Sequence, residues 1–177
     1  CCRRARMLEA PAAPAGTLIP VSLLTGFLGS GKTTLLRHLL RQKELSRAAV
    51  VINELGDVAL DDALLLGAGA APLTLSGGCV CCTVRGDLAR ALGDLYVRRA
   101  KGTVAYFDRL LIETTGLADP APILHSLMQD PLLAARFRLD GVVTTVDAVH
   151  GAGQLDAQPE SVKQAAVADR LVLTKSD

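Results

Sequence analysis

The feature that most constrains the fold of this chain is a glycine-rich segment between an apolar run and a helical stripe. Residues 26–33 read Gly-Phe-Leu-Gly-Ser-Gly-Lys-Thr and satisfy the pattern G-x-x-x-x-G-K-[ST] at every fixed position. The apolar run at 18–24 predicts a strand, and leucines at helical spacing predict a helix over 32–42. This strand–loop–helix context indicates a phosphate-binding loop rather than a glycine-rich turn without a ligand.

The residues of this loop are expected to divide the work of binding a nucleotide. The glycines let backbone N–H groups face the phosphates without Cβ clashes. Lys32 neutralises the β- and γ-phosphate oxygens, and the Thr33 hydroxyl is placed to ligate magnesium. The predicted nucleotide-binding residues here are Gly26, Gly29, Ser30, Gly31, Lys32, Thr33 and Thr34.

Apolar runs and helix-period segments alternate along the rest of the chain. This pattern predicts an α/β fold with a doubly wound, mostly parallel sheet flanked by helices, and ligand sites at the carboxyl ends of the strands. Segments 67–72 and 150–153 are predicted loops. Further strands are predicted at 48–52, 73–75, 109–112, 141–146 and 170–173, and further helices at 83–100, 120–129 and 162–168.

Charge and hydropathy argue against two classes of partner. The net charge of +1 over 177 residues gives no basic excess for nucleic acid. No uninterrupted apolar run approaches the roughly 20 residues that span a bilayer, so no membrane partner is expected. The five cysteines are an odd number, and three of them are too crowded to pair freely. This usage predicts a reduced, cytoplasmic compartment.

The crowded thiols, Cys79, Cys81 and Cys82, follow the pair Gly77-Gly78. Thiolates are good donors to zinc or cobalt(II), and three sulfurs leave a tetrahedral ion in need of a fourth ligand. An incomplete shell suits a metal that must be released. Two alternatives stay open, namely buried cysteines that pack as small apolar groups and a redox switch. Spacing does not select the fourth ligand among His38, His125 and His150.

Five segments together resemble the CobW-type GTPases, which are metal-chaperone P-loop proteins related to the GTPases that insert nickel into urease and hydrogenase. The segments are GFLGSGKTT at 26–34, NELGD at 53–57, GGCVCC at 77–82, IETTGLADP at 112–120 and VDA at 146–148. The match runs from about Ile19 to Asp177 and keeps the family's order. The resemblance implies a P-loop NTPase fold and a P-loop GTPase domain over 17–177.

The resemblance also implies roles for individual residues. Lys32, Thr33 and Glu113 would be the catalytic set, with Glu113 as the acid of the second phosphate motif. Gly116 would let a switch loop approach the γ-phosphate. Cys79, Cys81 and Cys82 with Glu54 would hold the transferred metal, although Glu54 reads equally well as a solvated loop acid. The implied function is GTP hydrolysis, with magnesium, coupled to transfer of zinc or cobalt to a client protein.

The chain ends in Thr174-Lys175-Ser176-Asp177, which is similar to the family's N-K-x-D base-recognition motif with Thr in place of Asn. The Asp177 carboxylate can accept hydrogen bonds from guanine N1 and N2, a donor pair that adenine lacks. The Lys175 stem can cover the base plane. The short Thr174 hydroxyl offers less than an amide, so guanine is favoured less strongly than an Asn would favour it.

The domain organisation predicted from the sequence is a disordered extension at 1–16 followed by the GTPase domain alone, truncated after the base motif, with the family's C-terminal domain absent. Two functions other than a metallochaperone remain. One is a nucleotide-binding thiol redox sensor, and the other is a fragment that binds GTP without turnover. A homodimer that depends on nucleotide or metal is left open.

Overall fold

The computed structural model describes residues 17–53, 73–74 and 80–176, and for residues 53, 73–74 and 80–87 the backbone alone. Within these ranges one sheet is formed by β1 (Ile19–Gly26), β2 (Ala48–Asn53), β3 (Leu73–Thr74), β4 (Arg109–Thr114), β5 (Phe137–Asp147) and β6 (Arg170–Thr174). The strand order is β3-β2-β4-β1-β5-β6, and every neighbouring pair is parallel. The predicted parallel α/β architecture is therefore confirmed.

Helices connect successive strands, as parallel pairing requires, except that the connection between β2 and β3 lies outside the described residues. They are α1 (Lys32–Leu39), α2 (Val80–Ala100), α3 (Ala121–Gln129), α4 (Pro131–Ala134), α5 (Gly151–Ala157) and α6 (Pro159–Ala166), with a short 3-10 helix at Lys43–Leu45. Among the described residues, no helix is both long and apolar enough to cross a bilayer. The predicted N-terminal extension and the predicted loop at 67–72 lie outside the described residues.

Side chains alternate between the two faces of the sheet, so each face carries its own core. Val21 and Leu23 of β1 belong to the larger core, which α2, α3 and α4 cover with residues such as Leu92, Ile123 and Leu133. Leu24 of the same strand belongs to a second core, which is covered by Leu36 of α1 and by Leu40, directly after the helix. Burial on both faces explains why the central strands read as nearly continuous apolar runs.

Several boundaries differ from the sequence prediction; α6, for example, begins at Pro159 rather than at 162, and α1 ends at Leu39 rather than at 42. β5 begins at Phe137 rather than at 141, because its pairing with β1 skips Asp140 in an irregular step that the charged pattern concealed. α2 begins at Val80 rather than at 83, so Cys81 and Cys82 are helical. The predicted loop at 150–153 is wrong, since α5 begins at Gly151 after Asp147 accepts the backbone N–H groups of Val149 and His150.

The core of α2 provides a test of the fold. Leu92 is fully buried, whereas Val97 on the same helix is 41% exposed. We expect Leu92→Ala to lower the free energy of unfolding by about 2–5 kcal/mol, because the cavity is enclosed by sheet and helices. Val97→Ala should change it by less than about 0.5 kcal/mol. Equal effects of the two substitutions in chemical denaturation would contradict this packing.

Candidate nucleotide site

The glycine-rich loop between β1 and α1 takes a shape that only glycine adopts easily. Gly26, Gly29 and Gly31 have φ angles of 143°, 71° and 87°, in the left-handed region that other residues rarely adopt. A Cβ on Gly26 would lie 2.3 Å from Thr145 Oγ1 and 2.5 Å from Thr145 O. The first glycine of the pattern is thus required both by backbone conformation and by close contact with β5.

Hydroxyl groups near the carboxyl ends of β1, β4, β5 and β6, together with Ser30 of the loop itself, fix the position of this loop. We call Thr25, Ser30, Thr114, Thr145 and Thr174 the hydroxyl cluster. Thr145 Oγ1 donates to Thr25 O at 3.3 Å, so Ser30 Oγ is the donor in its 2.6 Å bond to Thr145 Oγ1. Thr114 Oγ1 donates to Thr25 Oγ1 at 2.8 Å. The first four residues are at most 2% exposed, so their bonds are shielded from water.

The predicted catalytic residues come together at this edge of the sheet. Lys32 Nζ donates to the carbonyl oxygens of Gly26 (2.8 Å) and Phe27 (3.0 Å), which places its charge at the loop. Thr33 Oγ1 donates to Glu113 Oε1 at 2.8 Å, and Glu113 is 5% exposed at the end of β4. A hydroxyl oxygen next to a carboxylate provides the kind of oxygen ligands that magnesium prefers.

Gly116 follows β4 and lies against the phosphate loop itself. A Cβ there would be 2.7 Å from the backbone N and 2.8 Å from the Cα of Leu28. The family resemblance implies that Gly116 lets a switch loop approach the γ-phosphate. The close contact accounts for glycine at this position, and its role toward a γ-phosphate stays a prediction.

Thr174, at the end of β6, reaches the same loop from the other side. Its Oγ1 donates to Ser30 O at 2.8 Å and lies 3.3 Å from Val146 O. The Thr174 hydroxyl therefore ties the end of β6, which the sequence predicts to take part in base recognition, to the phosphate loop. Spacing alone did not suggest this contact. Asp177, the predicted reader of guanine, lies outside the described residues.

Asp147 organises the residues next to this segment and was given no role from the sequence. It is 3% exposed, and its Oδ2 accepts from Lys175 Nζ at 2.6 Å and contacts His150 Nδ1 at 3.2 Å. The Lys175 hydrogen bond, with those from Val149, His150 N and the His150 ring, holds the pKa of Asp147 well below its usual range against the opposing effect of burial. Asp147 thus fixes Lys175, whose φ of 56° lies in the left-handed region.

The predicted metal ligands are only partly described. Cys79 and Glu54 lie outside the described residues, while the backbone of Cys81 and Cys82 forms the first turn of α2. In the described part of the chain, no group of three or more His, Cys, Asp or Glu side chains could hold a metal. His38 contacts Gln42, His125 is exposed and His150 contacts Asp147, so the fourth ligand stays unassigned.

The Thr174 contact generates a test. Thr174→Val keeps the shape of the side chain but removes the donor to Ser30 O, so the loop loses one anchor. We expect nucleotide affinity to fall about tenfold, in line with the loss of a part-buried hydrogen bond. Thr174→Ser keeps the hydroxyl and should bind within about twofold of the parent. Fluorescence titration measures both, and wild-type affinity in Thr174→Val would contradict the anchoring role.

Comparison with known proteins agrees with this geometry. A family model described as the CobW/HypB/UreG nucleotide-binding domain matches residues 20–177. The zinc chaperone YjiA of Escherichia coli strain K12 is 46% identical over 159 residues, which are 90% of this chain and 50% of that protein. The zinc-regulated GTPase metalloprotein activator 1 of Schizosaccharomyces pombe is 40% identical over 166 residues, 90% of this chain and 39% of that protein.

A solved structure gives the same result. The crystal structure of Zn(II)-bound YjiA GTPase from E. coli matches with a TM-score of 0.71 and 41% identity, covering 91% of this chain and 50% of that one. The chain therefore spans about half the length, or less, of the relatives that it matches. The motifs, the sheet order and these matches agree, and the chain belongs to the CobW/HypB/UreG nucleotide-binding domain family.

Proposed function

We propose that this domain binds and hydrolyses GTP with magnesium, binds zinc or cobalt at Cys79, Cys81, Cys82 and Glu54, and passes the metal to a client protein. The related proteins of E. coli and fission yeast bear names that describe a zinc chaperone and a zinc-regulated GTPase. The proposed setting is the cytoplasm, where thiols stay reduced.

The observation that carries the proposal is the order of the strands. Because all pairs are parallel, every carboxyl end lies at one edge of the sheet. Along that edge, β3 precedes the cysteine run, β2 precedes Glu54, β4 ends in Glu113 and Thr114, and β1 leads into the phosphate loop. β3 and β1 are three strand spacings apart, or about 14 Å. β2 follows the phosphate loop and precedes the cysteine run in sequence. It also lies between β1 and β3 in the sheet.

At the proposed nucleotide site, the contacts support a different role for each residue. The left-handed glycines shape the loop, and Lys32 supplies a cation for the β- and γ-phosphates. The Thr33 hydroxyl is a proposed magnesium ligand, and Glu113 orients it through the 2.8 Å hydrogen bond. When bound, magnesium neutralises charge on the transferring phosphoryl group. Asp147 holds Lys175 in place, which supports a fixed platform for the base that Asp177 would read.

At the metal end, the start of α2 supports thiolate ligation. Cys81 and Cys82 belong to the first turn of a 21-residue helix. The positive end of a helix dipole favours the thiolate over the thiol, and thiolate is the form that binds zinc. The same effect favours oxidation, so the redox sensor is the competing function and must be separated by experiment.

Metal analysis after anaerobic purification separates these functions. We expect one equivalent of zinc or cobalt in the parent protein, loss of that equivalent in Cys81→Ala, and retention in the control Cys2→Ala. The reason is that removal of one thiolate leaves a tetrahedral shell too weak to hold the ion. A reversible disulfide involving Cys79, with no stoichiometric metal, would favour the redox sensor and contradict the chaperone.

Coupling between the two ends is tested by zinc titration with GDP or with a non-hydrolysable GTP analogue bound. The proposal predicts zinc affinities that differ by about fivefold or more, the lower end of typical allosteric coupling. Equal affinities in the two states would show that nucleotide and metal act independently.

Glu113 provides a test of the hydrolytic step. Glu113→Gln keeps the size of the side chain but removes the charge that orients Thr33, so we expect kcat for GTP to fall about 10- to 100-fold. Glu44→Gln, on an exposed residue of the 3-10 helix, is the matched control and should leave kcat unchanged. The role is rejected if Glu113→Gln turns over at the parent rate.

A further inference from the structure

A buried glutamine on α6 joins this helix to the segment that follows β4. Gln164 is fully buried, and its Nε2 donates to the carbonyl oxygens of Gly116 at 3.1 Å and of Ala118 at 3.0 Å. Its own backbone carbonyl accepts from Thr144 Oγ1 at 2.8 Å, which fixes the residue to β5. Gln164 therefore connects residues 116–118 to a rigid part of the sheet.

The segment that Gln164 holds is confined on its other side by the phosphate loop. Gly116 approaches Leu28 so closely that a Cβ would lie 2.7 Å from the backbone N of Leu28. The next charged residue, Asp119, accepts from Lys163 Nζ at 3.0 Å, an exposed pair that adds little by itself. The buried amide thus links α6 directly to this segment through two hydrogen bonds.

A purely structural reason for glutamine at this position is incomplete. Gln164 Oε1 is buried and has no hydrogen-bond partner among the described residues. An apolar side chain of similar volume would avoid that cost, because an unsatisfied buried polar atom destabilises a fold. A functional need to fix the carbonyl oxygens of Gly116 and Ala118 would account for a glutamine here despite its unsatisfied oxygen.

We propose that Gln164 is a positioning residue that sets the preference for nucleoside triphosphate over diphosphate. This inference rests on the proposed function, in which Gly116 approaches the γ-phosphate. The phosphate loop itself binds the phosphates that both nucleotides share. Gln164 fixes the segment that a third phosphate alone would contact, so loss of its two donors weakens triphosphate binding selectively.

The test compares affinities for GDP and for a non-hydrolysable GTP analogue, both measured by fluorescence titration in the presence of magnesium. Gln164→Leu keeps approximate volume but removes both donors. We expect it to weaken analogue binding about tenfold relative to GDP, the size expected for loss of a buried hydrogen bond. The matched control is Gln154→Leu on α5, a half-buried glutamine, which should leave the ratio unchanged.

The ratio separates positioning from general damage to the fold. If Gln164→Leu weakens both nucleotides equally, or leaves both unchanged, the inference is overturned while the proposed function stands. If the parent protein binds neither nucleotide, the proposed function itself fails. Gln164→Asn retains an amide on a shorter side chain and is the second variant should Gln164→Leu not fold. The same selective loss is expected there, and an unchanged ratio again overturns the inference.

Discussion

The phosphate loop is held in place by a few buried hydroxyl groups, and the rest of the site depends on them. Ser30 is anchored twice, through its side chain to Thr145 of β5 and through its carbonyl oxygen to Thr174 of β6. Thr114 of β4 and Thr25 of β1 complete the hydroxyl cluster. Left-handed glycines give the loop its shape, but these bonds fix where that shape lies relative to four neighbouring strands. Their burial makes them strong and directional.

A parallel sheet turns this local anchoring into an arrangement of sites. Every strand ends at the same edge, so short loops from distant parts of the chain meet there. The phosphate loop, Glu113 and Thr174 come from three stretches of sequence that lie far apart. The order β3-β2-β4-β1 places β3, which precedes the cysteine run in sequence, in this sheet too. Under the proposed function, a signal from a metal site beside β3 to the phosphate loop after β1 would cross the ends of β2 and β4.

Much of the fold could be predicted from the sequence, because apolar runs and helical periods repeat in a clear alternation. The boundaries that failed involve local polar chemistry. The charged residues Arg138 and Asp140 interrupt the apolar pattern at the start of β5. The turn that Asp147 stabilises allows α5 to begin in a glycine-containing segment. Within the site, the glycine pattern identified the loop, but it did not identify Thr25 and Thr145, which support the loop, or Asp147 and Gln164, which support neighbouring segments. Their partners lie as far as 120 residues away in sequence, so spacing could not reveal them. The recurring signal was a threonine or an acid near the end of the apolar strands β1, β4, β5 and β6.

The central claim is that a thiolate metal site lies on the same sheet edge as the nucleotide, a few strands away. Anomalous diffraction at the zinc edge, from crystals grown with zinc, magnesium and a GTP analogue, tests it most directly. The account predicts a zinc peak coordinated by sulfurs of Cys79, Cys81 and Cys82, on the order of 14 Å from the phosphate loop. A zinc ion bound only elsewhere, with these cysteines joined in a disulfide, would contradict it.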